Sequence, residues 1–303
     1  KQVQYIEEVK FMVKVIGVGD CMVDKNLTNG MMYPGGQALN IAVNTKLCGA
    51  QSAFIGAFGD DYIADHMKMD EIGLDYSHSH FYHAPNAFAR YKVIDNDRVF
   101  QRSPNGRYNP MQGAIRRMLA YEGFSKEDIE YIKGFDVMHT SNGAFIEEYL
   151  PELSAQGIKI SYDFSLDHMK EGVMEKVCPS CYFVLLSCSH MTTTEMQEQL
   201  IKAHTLGAKI CIGTRGSEGS TCYDGDRFYT QAPHWKEHVV DTMGAGDAFI
   251  SAFLYDFIGH DGYNAEDKSE IIKHALDFAA EYSANSCMVE GAFGYGVPYL
   301  SEE

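Results

Sequence analysis

Short β-prone runs recur along this chain with helical patterns between them, and that alternation leaves few folds open. Val13-Lys-Val-Ile-Gly-Val18 and Gln51-Ser-Ala-Phe-Ile-Gly56 come first. Asp136-Val-Met-His139, Lys159-Ile-Ser-Tyr-Asp163, Tyr182-Phe-Val-Leu-Leu186 and Lys209-Ile-Cys-Ile-Gly213 follow, at spacings of roughly 20 to 25 residues. Strands so spaced predict βαβ units: an α/β fold with a mainly parallel sheet and helices on both faces, a three-layer sandwich. Right-handed crossovers then gather the strand C-termini on one edge, where ligands of open α/β sheets bind. Two stretches break the rhythm. Lys25 to Pro34 interrupts the first βα connection, and Ala87 to Arg102 reads as strand, Asp95-Asn-Asp97 turn, strand. Segments 25–34 and 87–107 are therefore expected to form a small β-sheet lid inserted in one domain spanning 11–298.

Composition narrows the class of ligand. The 303 residues carry 25 Lys and Arg against 42 Asp and Glu, a formal charge of −17. So acidic a chain lacks the attractive field that broad nucleic-acid or anionic-membrane binding needs, though a local pocket can still hold a small anion. No run of 18 apolar residues and no secretory leader pattern is present, so neither membrane insertion nor secretion is expected. Eight cysteines scattered through partly apolar surroundings read as reduced, buried thiols and a cytoplasmic setting.

The chemistry concentrates in Asp241-Thr-Met-Gly-Ala-Gly-Asp247, which runs straight into Ala248-Phe-Ile-Ser-Ala-Phe-Leu-Tyr-Asp-Phe-Ile258. Phe249, Ile250, Phe253, Leu254 and Phe257 fall at helical spacing and predict a helix with a core-facing side. Glycines just before it let the amides of Gly244, Ala245 and Gly246 converge on an anion at the helix N-terminus. Asp247 then stands where that anion is expected. A carboxylate beside a phosphate is costly unless it has a task there, such as taking the proton from a hydroxyl that attacks a terminal phosphate. The bland alternative is a Gly-rich turn with an ordinary helix cap. A second loop, Gly35-Gly-Gln-Ala-Leu-Asn-Ile-Ala42, offers close backbone approach at Gly35 and Gly36, and a donor and acceptor at Asn40. Ala38, Leu39, Ala42, Val43 and Leu47 are expected to form the buried face of its helix.

In order and separation these two strings resemble the signatures of the PfkB (ribokinase-like) carbohydrate kinases, and the resemblance runs from about Phe11 to Pro298. It implies a ribokinase-like fold and ATP-dependent phosphorylation of a sugar hydroxyl. It makes Asp247 the catalytic base and Gly244, Ala245 and Gly246 the anion hole. Asp24, in Gly19-Asp-Cys-Met-Val-Asp24, matches the family's sugar-binding aspartate, with Gly35, Gly36 and Asn40 as its hydroxyl-binding loop. Thr214-Arg-Gly-Ser-Glu-Gly219 resembles the nucleotide loop, so Thr214, Gly216, Ser217 and Gly219 are implied in ATP binding, with Ala280 beside the adenine. Gly291-Ala292 matches the stretch that helps bind a monovalent cation such as K⁺ in relatives. Where relatives commonly carry NxxE, this chain has Ser187-Cys-Ser-His190 with Glu195 beyond. No direct Mg²⁺ ligand is therefore assigned, and the ion is expected to be held through waters and phosphates. The resemblance also leaves room for a homodimer joined through the lids.

Within that family, Asp95-Asn-Asp-Arg-Val-Phe100 and Asp163-Phe-Ser165 look most like kinases that phosphorylate the 6-hydroxyl of a fructosamine such as fructoselysine. Arginine placement points the same way. Of eight arginines, six lie between Arg90 and Arg117, around the expected lid, and Arg98 is a candidate for substrate contact. An amino-acid carboxylate calls for such a cluster where a plain sugar does not. A solvated lid rim is the competing account. Other sugar kinases (ribose, fructose or 2-keto-3-deoxygluconate), a nucleoside kinase, and a non-catalytic sensor on the same scaffold remain alternatives.

Three further patterns carry less. Cys178-Pro-Ser-Cys181 has metal-like spacing but no second pair. His78-Ser-His-Phe-Tyr-His83 reads as surface histidines before the lid. Gly17-Val-Gly-Asp20 fails as a dinucleotide fingerprint at Met22, and the absence of GxxxxGK[ST] excludes a P-loop kinase.

Overall fold

The computed structural model describes residues 9, 11–60, 69–94, 97–101 and 115–298, the side chains of Asp97 and Arg98 excepted. Fourteen strands make two sheets among them. In chain order they are β1 (Lys14–Gly19), β2 (Met22–Asn26), β3 (Met31–Gly35), β4 (Gln51–Phe58), β5 (His80–Phe81), β6 (Phe88–Ile94) and β7 (Asp97–Phe100). There follow β8 (Val137–Ser141), β9 (Ile160–Ser165), β10 (Phe183–Ser187), β11 (Ile210–Thr214), β12 (Ser220–Tyr223), β13 (Phe228–Gln231) and β14 (Val297–Pro298). The longer helices are α1 (Gln37–Cys48), α2 (Thr193–Thr205), α3 (Ala245–Gly259) and α4 (Ser269–Ser286).

The large sheet has the order β13-β12-β11-β10-β9-β8-β1-β4-β5. Its strands run parallel from β11 to β5, and the β11-β12-β13 meander closes the other edge antiparallel. One face packs Ile16, Met138, Tyr162 and Leu186 against α2 and shorter helices, including Met196 and Leu200. The opposite face packs Val15, Phe183, Leu185 and Ile212 against α3 and α4. Helices on both faces of a mainly parallel sheet are the predicted three layers. Phe253 and Phe257 are fully buried there, each burial stabilising by about 2–3 kcal/mol relative to exposure.

The small sheet has the order β14-β3-β2-β6-β7. Its strands start earlier than the expected segment 25–34: β2 begins at Met22, so Asp24 itself lies in this sheet. It also gains β14 from the C-terminal end, which the sequence pattern did not suggest. Tyr33 supplies the reason. Gly291 and Gly296 leave the space its ring fills, and its hydroxyl donates to Glu290 while accepting from Asn29. Residues 102–107 of the expected lid, and the turn residues 95–96, lie outside the described residues. A second departure is at Leu47, which is 52 % exposed. Ile41 takes that place on the buried side of α1, because both sides of this helix are covered, by β1 and by α3. No helix among the described residues is long and apolar enough to cross a membrane.

Candidate active site

The start of α1 is built by Gly36 and Asp20. Gly36 holds φ 104°, ψ 131°, and a Cβ there would stand 2.6 Å from the Asp20 carbonyl and 2.7 Å from Cys21 Cα. Only glycine fits, and its fit brings α1 down onto the end of β1. No side chain of α1 caps its own first turn. The Asp20 carboxylate accepts from the amides of Gln37 and Ala38 instead, each at 3.3 Å. Gln37 then reaches across to β9, its Nε2 donating to Asp163 at 3.0 Å, and the Ser165 amide donates to the other Asp163 oxygen at 2.6 Å. Asp24 lies against Gly35 so closely that a Cβ would be 2.0 Å from its Oδ2. Asp24, Gly35, Gly36 and Asn40 are thus neighbours.

The start of α3 faces them. Gly244 caps it in the left-handed conformation, φ 68°, and Asp247 is the third residue of the helix. The Asp241 carboxylate ties this turn to the C-terminal segment by accepting from the amides of Met243 (2.9 Å) and Gly291 (3.1 Å). Ser283 of α4 donates to the Ala245 carbonyl at 2.8 Å. One detail differs from the expected anion hole. The Ala245 amide turns back to the Thr242 carbonyl at 3.3 Å. The first i→i−4 bond is Ala248 to Gly244 at 2.7 Å, so the helix supplies no acceptor to the Gly246 and Asp247 amides. The donors left for an anion are therefore shifted one step along the chain.

Asp247 meets the sugar loop directly: Asn40 Nδ2 donates to Asp247 Oδ2 at 2.6 Å, across 207 residues of sequence. Asn40 Oδ1 is buried without a hydrogen-bond partner, an acceptor open to a hydroxyl. Burial pushes the Asp247 carboxyl well above the usual carboxylate range, and Asp163, Asp20 and Asp24 add to the rise, against the Asn40 hydrogen bond. Asp163 is pushed up to about 6 by burial, with the nearby Asp20 charge adding. Four carboxylates, each under a tenth exposed, therefore crowd one site. Asp256 on the same helix is a useful contrast. It too is buried and raised, but His274 (2.8 Å) and His260 (3.4 Å) hold it, roughly 13 Å along α3 from Asp247. Among the described residues no histidine, lysine or arginine pairs with Asp247 in this way.

The loop after β11 carries the other residues singled out in the sequence. Thr214 ends the strand, and residues 216–218 form a single 3₁₀ turn closed by Arg215 N–H to Gly219 O (2.8 Å) and Gly219 N–H to Gly216 O (3.1 Å). Ser217 sits exposed at its middle. Arg215, which the sequence reading did not assign, is held by Thr193 Oγ1 (2.6 Å) and Glu218. Ala280 packs in the apolar cluster that contains Ile212 of β11. The Arg98 side chain lies outside the described residues, although its backbone is in β7. Glu195 is committed to the α2 capping box with Thr192.

The distracting patterns resolve separately. Cys178 and Cys181 are buried thiols, the first pushed up to about 12 and the second well above the usual thiol range, both by burial. His78, His80 and His83 each face a different carboxylate, of Asp128, Glu122 and Asp60. Asp20, Gln37, Asp163 and Arg116 fall within strings or clusters singled out in the sequence, but none was assigned a role of its own there.

Four crowded carboxylates, joined through Asn40 to a helix N-terminus on an α/β scaffold, suit a phosphotransferase. The chain belongs to the pfkB family of carbohydrate kinases, whose family model matches residues 12–293. Among similar proteins is the fructosamine kinase FrlD of Bacillus subtilis (strain 168), 36% identical over 296 residues, covering 96% of each chain. The fructoselysine 6-kinase of Escherichia coli (strain K12) is 32% identical over 240 residues, covering 78% of this chain and 86% of the relative. The fold is that of solved ribokinases: the Giardia lamblia enzyme superposes with TM-score 0.73 at 17% identity, over 95% of this chain and 98% of its own. The Arabidopsis thaliana ribokinase, solved with ribose and ATP, gives 0.71 at 19%, over 93% and 94%.

Proposed function

We propose that this protein transfers the γ-phosphoryl group of ATP to the 6-hydroxyl of a fructosamine such as fructoselysine. The observation that carries the transfer is Asp247, a buried carboxylate with raised proton affinity at the third residue of α3, in contact with the acceptor loop through Asn40. The substrate class rests on the two similar kinases, whose names specify fructosamine and fructoselysine.

In this reading Asp24, the Gly35-Gly36 backbone and Asn40 hold the sugar hydroxyls, with Asn40 Oδ1 accepting from one of them. Asp247 takes the proton of the 6-hydroxyl as its oxygen bonds to the γ-phosphorus and the bond to the β–γ bridging oxygen breaks, releasing ADP. The Gly246 and Asp247 amides at the start of α3 face the transferring oxygens. Thr214, Gly216, Ser217 and Gly219 hold the nucleotide, with Ala280 below the adenine. The small sheet acts as a lid that excludes water, which otherwise competes as phosphoryl acceptor.

The donor set suits Mg²⁺, since Asp163 and Asp247 resist ionisation together and a divalent cation nearby relieves that repulsion. When bound with ATP it neutralises phosphate charge. The stretch of Gly291-Ala292, whose Gly291 amide donates to Asp241 at 3.1 Å, would help hold a monovalent cation such as K⁺. All eight cysteines are free and none is exposed, which suits a reducing cytoplasm. Val99 and Phe100 lie exposed on β7, an edge strand of the small sheet, and support pairing of two lids in a homodimer.

A coupled assay over fructoselysine, fructose, ribose, 2-keto-3-deoxygluconate and adenosine tests the activity. Fructoselysine is expected to have the highest kcat/KM, with phosphate at its 6-position. Faster turnover of a plain sugar or of adenosine would replace this reading by one of the alternatives, and no turnover at all would favour a sensor. Sedimentation of the same preparation is expected to give twice 33.9 kDa; a monomer removes the lid pairing.

A further inference from the structure

Arg116 is a cation beside the Asp20 end of the site. Among the described residues its ion-pair partner is Asp20, whose Oδ2 is 3.5 Å from the guanidinium. Asp20 does not depend on that contact, because Gln37 N–H, Ala38 N–H and Ser141 Oγ already donate to it. Arg116 Nε is buried without a hydrogen-bond partner. A buried donor left bare is costly, so a group that accepts from it is favoured.

The surroundings hold this guanidinium in place. It lies over the Phe145 ring at 5.3 Å, and Arg117 lies over the same ring at 4.2 Å. Phe145 is held at φ 59°, a left-handed conformation that is uncommon for a bulky residue and places it in the loop after β8. Gly143 gives the guanidinium room, since a Cβ there would be 2.7 Å from Arg116 Nη2 and 2.8 Å from Asp20 Oδ2. Two guanidinium groups against one aromatic ring, with Gly143 leaving them room, gather positive charge beside Asp20.

Its position separates acceptor from donor. Asp20 follows β1 and Phe145 follows β8, whereas the nucleotide-type loop follows β11, three strands beyond β8. At about 4.8 Å per strand that is roughly 14 Å. The same Asp20 carboxylate binds the amides next to Gly36, so Arg116 is one hydrogen-bonded step from the sugar loop. A neutral sugar offers a guanidinium there only hydroxyl oxygens and no charge. A fructosamine carries both an amine and a carboxylate, and this site presents crowded carboxylates beside two guanidinium groups.

We infer that Arg116, stacked on Phe145 and flanked by Arg117, is a subsite for the carboxylate of the amino-acid portion of the substrate, and so sets specificity for glycated amino acids over plain sugars. This rests on the fructosamine reading above. The carboxylate takes the Nε and an outer Nη hydrogen in the two-pronged geometry that arginine allows and lysine does not.

The test pairs a substrate deletion with an enzyme deletion. Nα-fructosyl-glycine is compared with fructosyl-methylamine, and Nε-fructosyl-lysine with fructosyl-cadaverine; each pair differs by one carboxylate. Wild type is expected to prefer the carboxylate member of at least one pair by roughly 10- to 100-fold in kcat/KM. Arg116→Ala should abolish that preference through a raised KM, and Arg116→Lys should recover only part of it. An unchanged melting temperature in both variants shows that the fold is intact. No carboxylate preference in wild type, or equal losses on both members of a pair, overturns the subsite. A raised KM for ATP with either acceptor also overturns it and assigns Arg116 to the phosphates. Wild type that phosphorylates free fructose but neither fructosamine pair defeats the underlying reading instead.

Discussion

Asp247→Asn is expected to lower kcat by about two to four orders of magnitude, the span typical of a lost general base, while KM for the acceptor changes little. The substitution keeps volume and shape, and an amide oxygen at this position can still accept from Asn40 Nδ2. The same variant should gain stability, and the sign follows from protons. Because burial raises the Asp247 carboxyl well above its ordinary value, the native state binds more protons than the unfolded chain in the interval between the two. Stability contributed by the protonated form is complete below the unfolded pKa and is lost as pH rises through the folded one. Asp163, at about 6, adds a loss of the same sign as pH climbs from about 4 past 6. Asparagine removes the Asp247 share. Its melting temperature should exceed wild type at pH 8, with the gap closing toward pH 4. In wild type kcat/KM should climb with pH as Asp247 loses its proton, and that limb should vanish in the variant. Near-normal turnover of the variant removes Asp247 as the base; a lower melting temperature at pH 8 contradicts the crowded-carboxylate account.

Activity and stability therefore pull in opposite directions at one residue. A base must give up its proton to work, and the ionised form is the one the folded protein tolerates least. Asp256 shows that the chain can satisfy a buried carboxylate on α3 when it needs to, with two imidazoles. At Asp247 it offers one amide and three further carboxylates. Local deficits of this kind are common at functional sites.

The fold was legible because its signals are local. Each strand of the parallel sheet announces itself by a short β-prone run, and the helix after Asp247 by its apolar spacing. The residues that complete the site were not, because tertiary pairing alone brings them together. Gln37 and Asp163 are 126 residues apart, and Asp20 takes its cap contacts from a helix that begins 17 positions later. Arg116 could be counted among the clustered arginines, but nothing in its neighbours revealed that it would lie on Phe145 beside Asp20. β14 was hidden for another reason. Two residues carry no periodicity, and they join β3 because Tyr33 fills the space that Gly291 and Gly296 leave. Leu47 misled in the opposite sense, since a helix covered on two sides no longer has one apolar stripe.

The glycines of the α3 start make the second large prediction, because two of them are glycine for different reasons. Gly244 answers to the chain. At φ 68° its added Cβ would meet the Ala292 Cβ at 2.6 Å and Ala292 Cα at 3.0 Å. Gly244→Ala should thus cost about 2–5 kcal/mol, from the left-handed backbone and the overpacked contact together. Gly246 answers to the ligand. A Cβ there meets nothing within 4 Å, and the residue is already helical, so the fold places no demand on it. Gly246→Ala should melt at or slightly above the wild-type temperature, since alanine is the better helix former. Its methyl group would stand in the open ground before amides that have no helical acceptor, where the transferring phosphate is proposed to lie. A loss of roughly 10- to 100-fold in kcat/KM is expected, somewhat below the 10²–10³ that follows removal of an oxyanion donor. Reduced activity in a stable protein is the signature of a ligand cradle. Full activity in Gly246→Ala would mean that the phosphate does not approach this turn, whatever Asp247 does beside it.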